Sequence, residues 1–234
     1  MAKNVIVIPT YNERENVSLL VEEIFSLLPK IHILVVDDNS PDGTAVAIKK
    51  LQAQYSNLSL LKRPAKNGLG GAYIAGFKKL LTDPGVENIF MMDADFSHNP
   101  KYLSEFLKES QNYDLVVGSR YIKGGGIAKW EWWRKILSAG GNIYVRFLLG
   151  GNISDWTGGF NCIRAEFLRK IDLDSINLSG YAFIMGIKYF LIKAGTRAKE
   201  IPIIFEARRG GESKLSHHII REGIIAPWKL LKRK

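Results

Sequence analysis

Two carboxylates one residue apart close an apolar run in the stretch Asn88-Ile89-Phe90-Met91-Met92-Asp93-Ala94-Asp95-Phe96-Ser97-His98-Asn99-Pro100. The run has strand length, and alternate strand residues point the same way, so Asp93 and Asp95 share a face. Two acids so placed repel each other unless a cation sits between them. A hard divalent ion, Mg²⁺ or Mn²⁺, suits oxygen ligands and keeps positions for water and substrate phosphate. The plain alternative is a turn after a strand, with Asp95 serving only to cap the residues beyond it. An isolated Asp-x-Asp is too short a pattern to choose between the two.

The elements that must position this pair narrow the choice. Residues 4–8 (Asn-Val-Ile-Val-Ile) form a strand pattern buried on both faces, broken by Pro9-Thr10-Tyr11-Asn12-Glu13. Apolar residues at helical spacing occupy residues 16–28. A second buried strand, residues 31–36, ends in Asp37-Asp38-Asn39-Ser40-Pro41-Asp42-Gly43-Thr44. Residues 44–55 read as a helix, 58–62 as a strand, and Asn67-Gly68-Leu69-Gly70-Gly71 as a tight turn into a helix reaching residue 81. This β-α-β-α-β-α-β alternation predicts an α/β chain with a doubly wound, mostly parallel sheet and helices on both faces. Ligands of such sheets bind where carboxyl ends of strands gather, so three loops converge: residues 9–13, 37–42 and 93–97. One acidic pair is suited to a ribose or base, the other to a metal on a pyrophosphate.

Further on, residues 99–109 read as a helix, 113–117 as a strand, Gly124-Gly125-Gly126 as a flexible link, and 130–149 as a helix rich in Trp, Lys and Arg. Asp155-Trp156-Thr157-Gly158-Gly159-Phe160 reads as a turn into a short strand, and 181–194 as a helix. Residues 198–205 form a strand whose Pro202 implies an edge or a bulge. Residues 208–214 are a basic glycine-containing loop, and 217–234 a basic amphipathic segment.

The formal net charge of +10 over 234 residues calls for acidic partners. Nucleic acid is excluded as a partner, because the basic residues match no recognition motif and acids line the expected cleft. The single Cys162 excludes an internal disulfide and a cysteine zinc site and fits a reducing compartment. No signal peptide pattern and no run of the roughly 20 apolar residues needed for a bilayer-spanning helix is present.

Motifs in order along the chain carry a resemblance. Pro9-Thr10-Tyr11-Asn12-Glu13, residues 35–44, Asn67-Gly68-Leu69-Gly70, residues 92–100 and Gly118-Ser119-Arg120-Tyr121 are together similar to family 2 inverting glycosyltransferases. More narrowly, with residues 155–160 and the late Arg208-Arg209-Gly210-Gly211-Glu212-Ser213-Lys214 in support, the chain resembles dolichyl- or polyprenyl-phosphate mannosyltransferases. The resemblance implies a single GT-A catalytic domain over residues 1–234, with a nucleotide-sugar half (1–118) and an acceptor half (119–234). It implies transfer of mannose from GDP-mannose to a polyprenyl or dolichyl phosphate. By similarity Pro9, Tyr11, Glu13, Asp37, Asp38 and Asp93 contact the nucleotide sugar, and Asp93 and Asp95 hold the metal. Ser97 stands where many relatives carry Gln, and its hydroxyl reaches the ion directly or through water.

A phosphate acceptor is already an anion, so its nucleophile needs positioning and charge compensation rather than a base. Cations are therefore expected around it, and Arg120, Arg134, Arg208 and Lys214 are the candidates. His98 and Cys162 read as a local hydrogen-bonding residue and a core residue. Trp with Lys and Arg in residues 130–149, and the basic segment 219–234, suit a bilayer interface. The expected location is the cytoplasmic face of a membrane, held peripherally, with room for a separate membrane-anchoring subunit. A glucosyl or other hexosyl transferase to the same lipid, and a non-catalytic nucleotide-sugar-binding subunit, are the alternatives.

Overall fold

The computed structural model describes residues 3–176, 178, 180–206 and 217–232. Its centre is a sheet of seven strands: β1 (Lys3–Thr10), β2 (His32–Asp37), β3 (Leu58–Lys62), β4 (Val86–Met91), β5 (Leu115–Ser119), β7 (Asn161–Arg164) and β8 (Ala198–Pro202). Their order across the sheet is β3-β2-β1-β4-β7-β5-β8. Two short strands, β6 (Gly126–Ile127) and β9 (Ile204–Phe205), pair in parallel beside it. Every pairing in the large sheet is parallel except those of β7, which runs antiparallel between β4 and β5.

Alternation along the strands explains the layering. Ile6, Ile8, Ile33, Val35, Phe90 and Val116 face one way and pack under α1 (Arg14–Leu27), α2 (Thr44–Leu51) and α4 (Leu103–Glu109). Val5, Val7, Leu34, Val36, Ile89, Met91, Leu115 and Val117 face the other way. They are covered by α3 (Gly68–Leu81), α6 (Ala165–Lys170) and α7 (Gly180–Lys193). Both faces are apolar because both are covered, which is why the strands read as continuous runs. Two further helices, α5 (Trp132–Leu149) and α8 (His217–Leu231), pack on each other, and their buried contributions to this second core are Val145, Ala226 and Leu230.

The chain runs outward from β1 through β2 to β3, then returns to place β4 on the other side of β1. The order therefore reverses between β1 and β4, and a crevice opens at their carboxyl ends. Asp93 and Asp95 lie just beyond β4, at that crevice.

Several details differ from the expectation. Helix α2 ends at Leu51 rather than at residue 55, and α6 has no counterpart in the sequence pattern. The glycines at 124–126 are not a flexible link. A Cβ on Gly125 would lie 2.5 Å from the Ser119 carbonyl oxygen, and Gly126 opens β6. Glycine is needed there because two backbone segments touch. Pro202 closes β8, which is the edge strand of the large sheet, as its missing N–H requires.

Candidate functional site

The loops after β1 and β2 are sewn to each other. Thr10 Oγ1 donates to Asp37 Oδ1 at 3.1 Å, and the Ser40 N–H and Oγ donate to the same carboxylate at 3.1 and 2.5 Å. The Asn12 N–H donates to Ser40 Oγ and the Glu13 N–H to Thr44 Oγ1. Asn12 and Asn39 take φ values of +60° and +58°, which Asn tolerates better than most residues. Asp37 is thus a buried hub of the shelf. Asp38 is buried too, and its Oδ1 accepts from Arg63 Nη1 at 2.6 Å. Glu13 Oε2 accepts from Asn16 Nδ2. Pro9 lies opposite Val36 in the sheet, and Tyr11 stands exposed at the edge with Lys66 Nζ 3.7 Å above its ring.

Next to this shelf lies the acidic couple. Asp95 is buried and its Oδ1 accepts from the Ser97 N–H at 3.0 Å, while the Asp93 side chain keeps 27% of its surface. The turn between them and Ser97 forces Phe96 to φ +63°, a strained value for a bulky residue. His98 is buried behind them. Its Nδ1 accepts from the Asp93 N–H at 3.0 Å, so the ring proton sits on Nε2, 3.9 Å from Asp93 Oδ2. Burial pushes the His98 imidazole below its ordinary range, so it is neutral at pH 7. Its ring stacks on Phe160 at 4.9 Å. Tyr73 of α3 lies below; burial, then the charges of Asp93 and Asp95, hold its phenol far above the usual value, so it stays protonated.

Whether this corner suits a divalent ion can be judged from Ser97. Its Oγ is fully buried and has no hydrogen-bond partner among the described residues. An orphaned hydroxyl beside two carboxylates is suited to ligation, since a buried polar atom left without a partner is costly. Among the described residues, no group of three or more His, Cys, Asp and Glu is placed to hold a metal. Asp93, Asp95 and Ser97 would offer two carboxylates and a hydroxyl, a partial set suited to an ion that takes its remaining oxygens from water and phosphate.

The 155–160 segment runs from this corner to Arg120 and α5. An atom at the Cβ position of Gly159 would lie 3.3 Å from His98 Cε1 and 3.9 Å from Asp93 Oδ1. Hydrogen bonds from several sides clamp the segment. Asp155, fully buried, accepts from the Arg120 N–H at 3.0 Å, Nε at 2.7 Å and Nη2 at 2.8 Å. Lys188, equally buried on α7, donates to the carbonyls of Asp155 and Gly158 at 2.7 and 2.8 Å. Asn142 of α5 accepts from the Trp156 and Thr157 N–H groups. Glu200 accepts from the Asp155 N–H. The opposing charges show in the ionisation. Although burial opposes it, the Arg120 guanidinium holds Asp155 at about 2, and burial brings Lys188 down to about 8.

Arg120, so fixed, also gives Nη2 to Thr157 Oγ1 and lies over the Phe205 ring at 5.5 Å. Phe205 meets both His98 and Trp130 edge-on, at 5.8 and 5.7 Å. Beyond it opens a cavity of about 310 Å³ between α5 and α8. Arg120 and Arg134 lie on its wall with Trp130, Leu137, Tyr144 and Met185 among the apolar lining. Arg134 pairs with the exposed Glu131 at 3.3 Å and lies near the rings of Trp130 and Trp133. The two helices also expose Trp132, Trp133, Ile136, Ile143, Phe147, Ile224 and Trp228, with Phe147 at 85%. No helix among the described residues is long and apolar enough to cross a membrane.

The structure thus brings Asp93, Asp95 and Ser97 together, sets Pro9, Tyr11, Glu13, Asp37 and Asp38 along the adjoining shelf, and gathers Arg120 and Arg134 on one cavity. Arg208 and Lys214 lie outside the described residues. Sequence reasoning missed Asp155, Asn142 and Lys188 as site residues. The available signal was a lone lysine inside the otherwise apolar Gly180–Lys193 helix.

Comparison with known proteins gives a consistent picture. The model of the family Glycosyl transferase family 2 matches residues 5–172. The polyprenol monophosphomannose synthase of Mycolicibacterium smegmatis is 43% identical over 97% of this chain and 86% of its own. The undecaprenyl-phosphate mannosyltransferase of Micrococcus luteus is 42% identical over 94% of this chain and 90% of its own. Among solved structures, mannosyl-3-phosphoglycerate synthase from Rubrobacter xylanophilus superposes with a TM-score of 0.70 at 18% identity, covering 99% of this chain and 74% of that one. Glucosyl-3-phosphoglycerate synthase from Mycobacterium tuberculosis, in complex with Mn²⁺, uridine diphosphate and phosphoglyceric acid, gives 0.68 at 14%, covering 99% and 79%. These two likenesses speak for the fold alone, which is GT-A. With the strand-end acids in the crevice of that fold and the family model spanning most of it, the chain belongs to glycosyl transferase family 2 and is a glycosyltransferase.

Proposed function

We propose that this enzyme transfers mannose from GDP-mannose to a polyprenyl or dolichyl phosphate with inversion at the sugar, giving the lipid-phosphate mannose. The observation that carries the reading is that two unlike features adjoin. Acid-tipped strand ends are joined through Gly159, His98 and Phe205 to an apolar cavity bearing Arg120 and Arg134. A nucleotide sugar suits the first and a lipid phosphate the second. The names of the two relatives at 42–43% identity supply mannose as the sugar and polyprenyl phosphate as the acceptor class.

In this reading the chain is one catalytic domain, with residues 1–118 on the donor side and 119–234 on the acceptor side. Pro9, Tyr11, Glu13, Asp37 and Asp38 line the nucleotide. Asp93, Asp95 and Ser97 hold Mg²⁺ or Mn²⁺, which when bound offsets charge on the departing diphosphate. A fold neighbour in complex with Mn²⁺ and a nucleoside diphosphate is compatible with this choice. An oxygen of the acceptor phosphate forms the bond to the anomeric carbon as the nucleoside diphosphate leaves from the opposite face with the bonding pair. The attacking oxygen is already anionic, so no side chain has to remove a proton, and His98, neutral with Nδ1 engaged, is not required as a base. Asp155 fixes the plane of the Arg120 guanidinium, and Arg134, Arg208 and Lys214 supply further positive charge to the acceptor phosphate. The exposed apolar side chains of α5 and α8 rest on the membrane, peripherally and on its cytoplasmic face, where a separate anchoring subunit can join.

The test is a donor screen with one polyprenyl phosphate in detergent and Mg²⁺ or Mn²⁺. GDP-mannose should give a lipid-linked product and UDP-glucose should not. Product from UDP-glucose alone would move the assignment to glucosyl transfer. Nucleotide-sugar binding without product from any donor would leave a binding subunit.

A further inference from the structure

The cavity between α5 and α8 has walls that cost the helices stability. Gly140 and Gly141 sit inside α5 and Gly223 inside α8, and all three line the cavity. Glycine inside a helix is unfavourable relative to alanine, so each position needs a reason. Crowding is not the reason. A Cβ at any of the three would meet no atom within 4 Å, whereas at Gly70, Gly76 and Gly186 it would meet side-chain atoms at 2.8–2.9 Å. The missing side chains at 140, 141 and 223 keep space open.

The space is also held at a set width. Tyr144 Oη accepts from Trp228 Nε1 at 2.7 Å and donates to the Ile224 carbonyl at 3.0 Å, tying α8 to α5. Pro227, inside α8, has no N–H to offer the Gly223 carbonyl one turn back, so the helix is weakened where it faces the cavity. The buried Arg120 and the mostly buried Arg134 line the cavity, and so does Ile224, which is exposed. The same two helices expose Trp228, Ile143 and Phe147. An occupant must therefore be anionic at one end, apolar along its length, and continuous with an apolar surrounding.

We propose that this slot takes the first units of the acceptor's hydrocarbon chain next to its phosphate, and that Gly140, Gly141 and Gly223 determine which chains fit. The inference rests on the lipid-phosphate acceptor proposed above. An apolar cavity of ~150 Å³ holds one benzene ring, so about 310 Å³ holds roughly two five-carbon units. The slot thus reads the branched start of the chain and leaves the remainder in the membrane. A branched chain fills it better than a linear alkyl phosphate of equal carbon number.

The experiment compares wild type with Gly141→Ala, Gly141→Leu and Gly223→Leu. Three readouts are taken: lipid KM in the mannosyl transfer assay, polyprenyl phosphate binding by tryptophan quenching, and nucleotide affinity with Tm. The isobutyl side chains should raise the lipid KM and Kd at least tenfold, with nucleotide affinity within twofold of wild type. Gly141→Ala should raise Tm by about 2 °C while weakening lipid binding by roughly threefold, a combination that damage to the fold does not produce. Because the alanine variant is the more stable protein, it decides the matter if a leucine variant fails to fold. Unchanged lipid affinity in Gly141→Ala and in whichever leucine variant folds would overturn the slot. Wild type that binds polyprenyl phosphate in a glycine-dependent way but transfers no sugar would overturn the proposed reaction and leave the slot standing. Wild type that neither binds nor uses the lipid would overturn both.

Discussion

Replacing Asp155 by Asn removes the buried anion bound to Arg120 at the centre of the 155–160 clamp, and the cost can be worked from its contacts. The Asp155 carboxylate is fully buried, accepts three bonds from Arg120 and a fourth from the Gly158 N–H, and lies beside a second buried cation, Lys188. Its pKa falls from 3.8 to about 2 in the fold. At 1.36 kcal/mol per unit this is roughly 2–3 kcal/mol of folding stability tied to ionisation. The sign comes from the direction of the shift. A depressed carboxyl stabilises the fold at pH values above about 4, and that contribution disappears as the pH falls through 2. An Asn amide also turns its NH₂ donors toward donors of Arg120 and leaves two buried cations poorly offset, which raises the expected loss at pH 7 to about 3–5 kcal/mol.

For a chain of this size that is a fall in Tm of about 6–20 °C. Thermal melts of wild type and Asp155→Asn from pH 7 down to pH 2 check it. The gap should be widest at pH 5–7 and should narrow by about 2–3 kcal/mol between pH 4 and pH 2, as the wild-type carboxyl takes up its proton. Lys188→Met combined with Asp155→Asn should cost less than the sum of the two single changes, because the lysine change removes a cation that the aspartate change leaves without its counter-charge. A gap below about 2 °C at pH 7, or one that does not vary with pH, would show that the network contributes no electrostatic stability and that Arg120 is held by something else.

Three other outcomes are expected at the site. Asp95→Asn should lower transfer by at least ~10³-fold and abolish Mn²⁺ binding measured by calorimetry, whereas Ser97→Ala should weaken Mn²⁺ by about tenfold, one charge-neutral ligand's worth. Arg134→Ala should raise the lipid KM by about 10–100-fold, corresponding to ~1.5–3 kcal/mol for a hydrogen bond to a charged group, with GDP affinity unchanged. Arg134→Lys should recover part of it. Trp132→Ser with Phe147→Ser should reduce sedimentation with anionic vesicles severalfold, and wild-type sedimentation should fall between roughly 0.05 and 0.5 M salt; equal binding by the variant would remove α5 from the membrane.

The donor side was legible because its information is local. Apolar runs ending in Thr10, Asp37 and Met91–Met92 announce strands, and the acids beyond them announce the crevice. The acceptor side was less so, because its information is tertiary. Nothing in Asn161-Cys162-Ile163-Arg164 says that β7 runs antiparallel between β4 and β5; the direction is set by where the 150–160 segment re-enters the sheet. Gly124-Gly125-Gly126 has the composition of a linker, yet Gly125 is fixed by its approach to the Ser119 carbonyl, a contact across the chain. Lys188 looks like a surface lysine by type and like a core position by its neighbours, and only the carbonyls of Asp155 and Gly158 reconcile the two.

The two guanidinium groups on the cavity wall have unlike partners, and the difference assigns them unlike work. Arg120 is bound by a buried carboxylate through hydrogen bonds of 2.7–3.0 Å, and separating them would strand charge in the interior. That pair does not exchange. It sets a fixed guanidinium plane on the cavity wall, steadied by Thr157 and Phe205. Arg134 pairs with Glu131 at 3.3 Å, and the glutamate is more than half exposed, so this one ion pair contributes little. In the proposed reaction the acceptor phosphate enters between α5 and α8 as a dianion and meets both guanidinium groups. Such a site can hold a lipid phosphate in line with the sugar and still release it once the phosphate, now a diester, carries less charge.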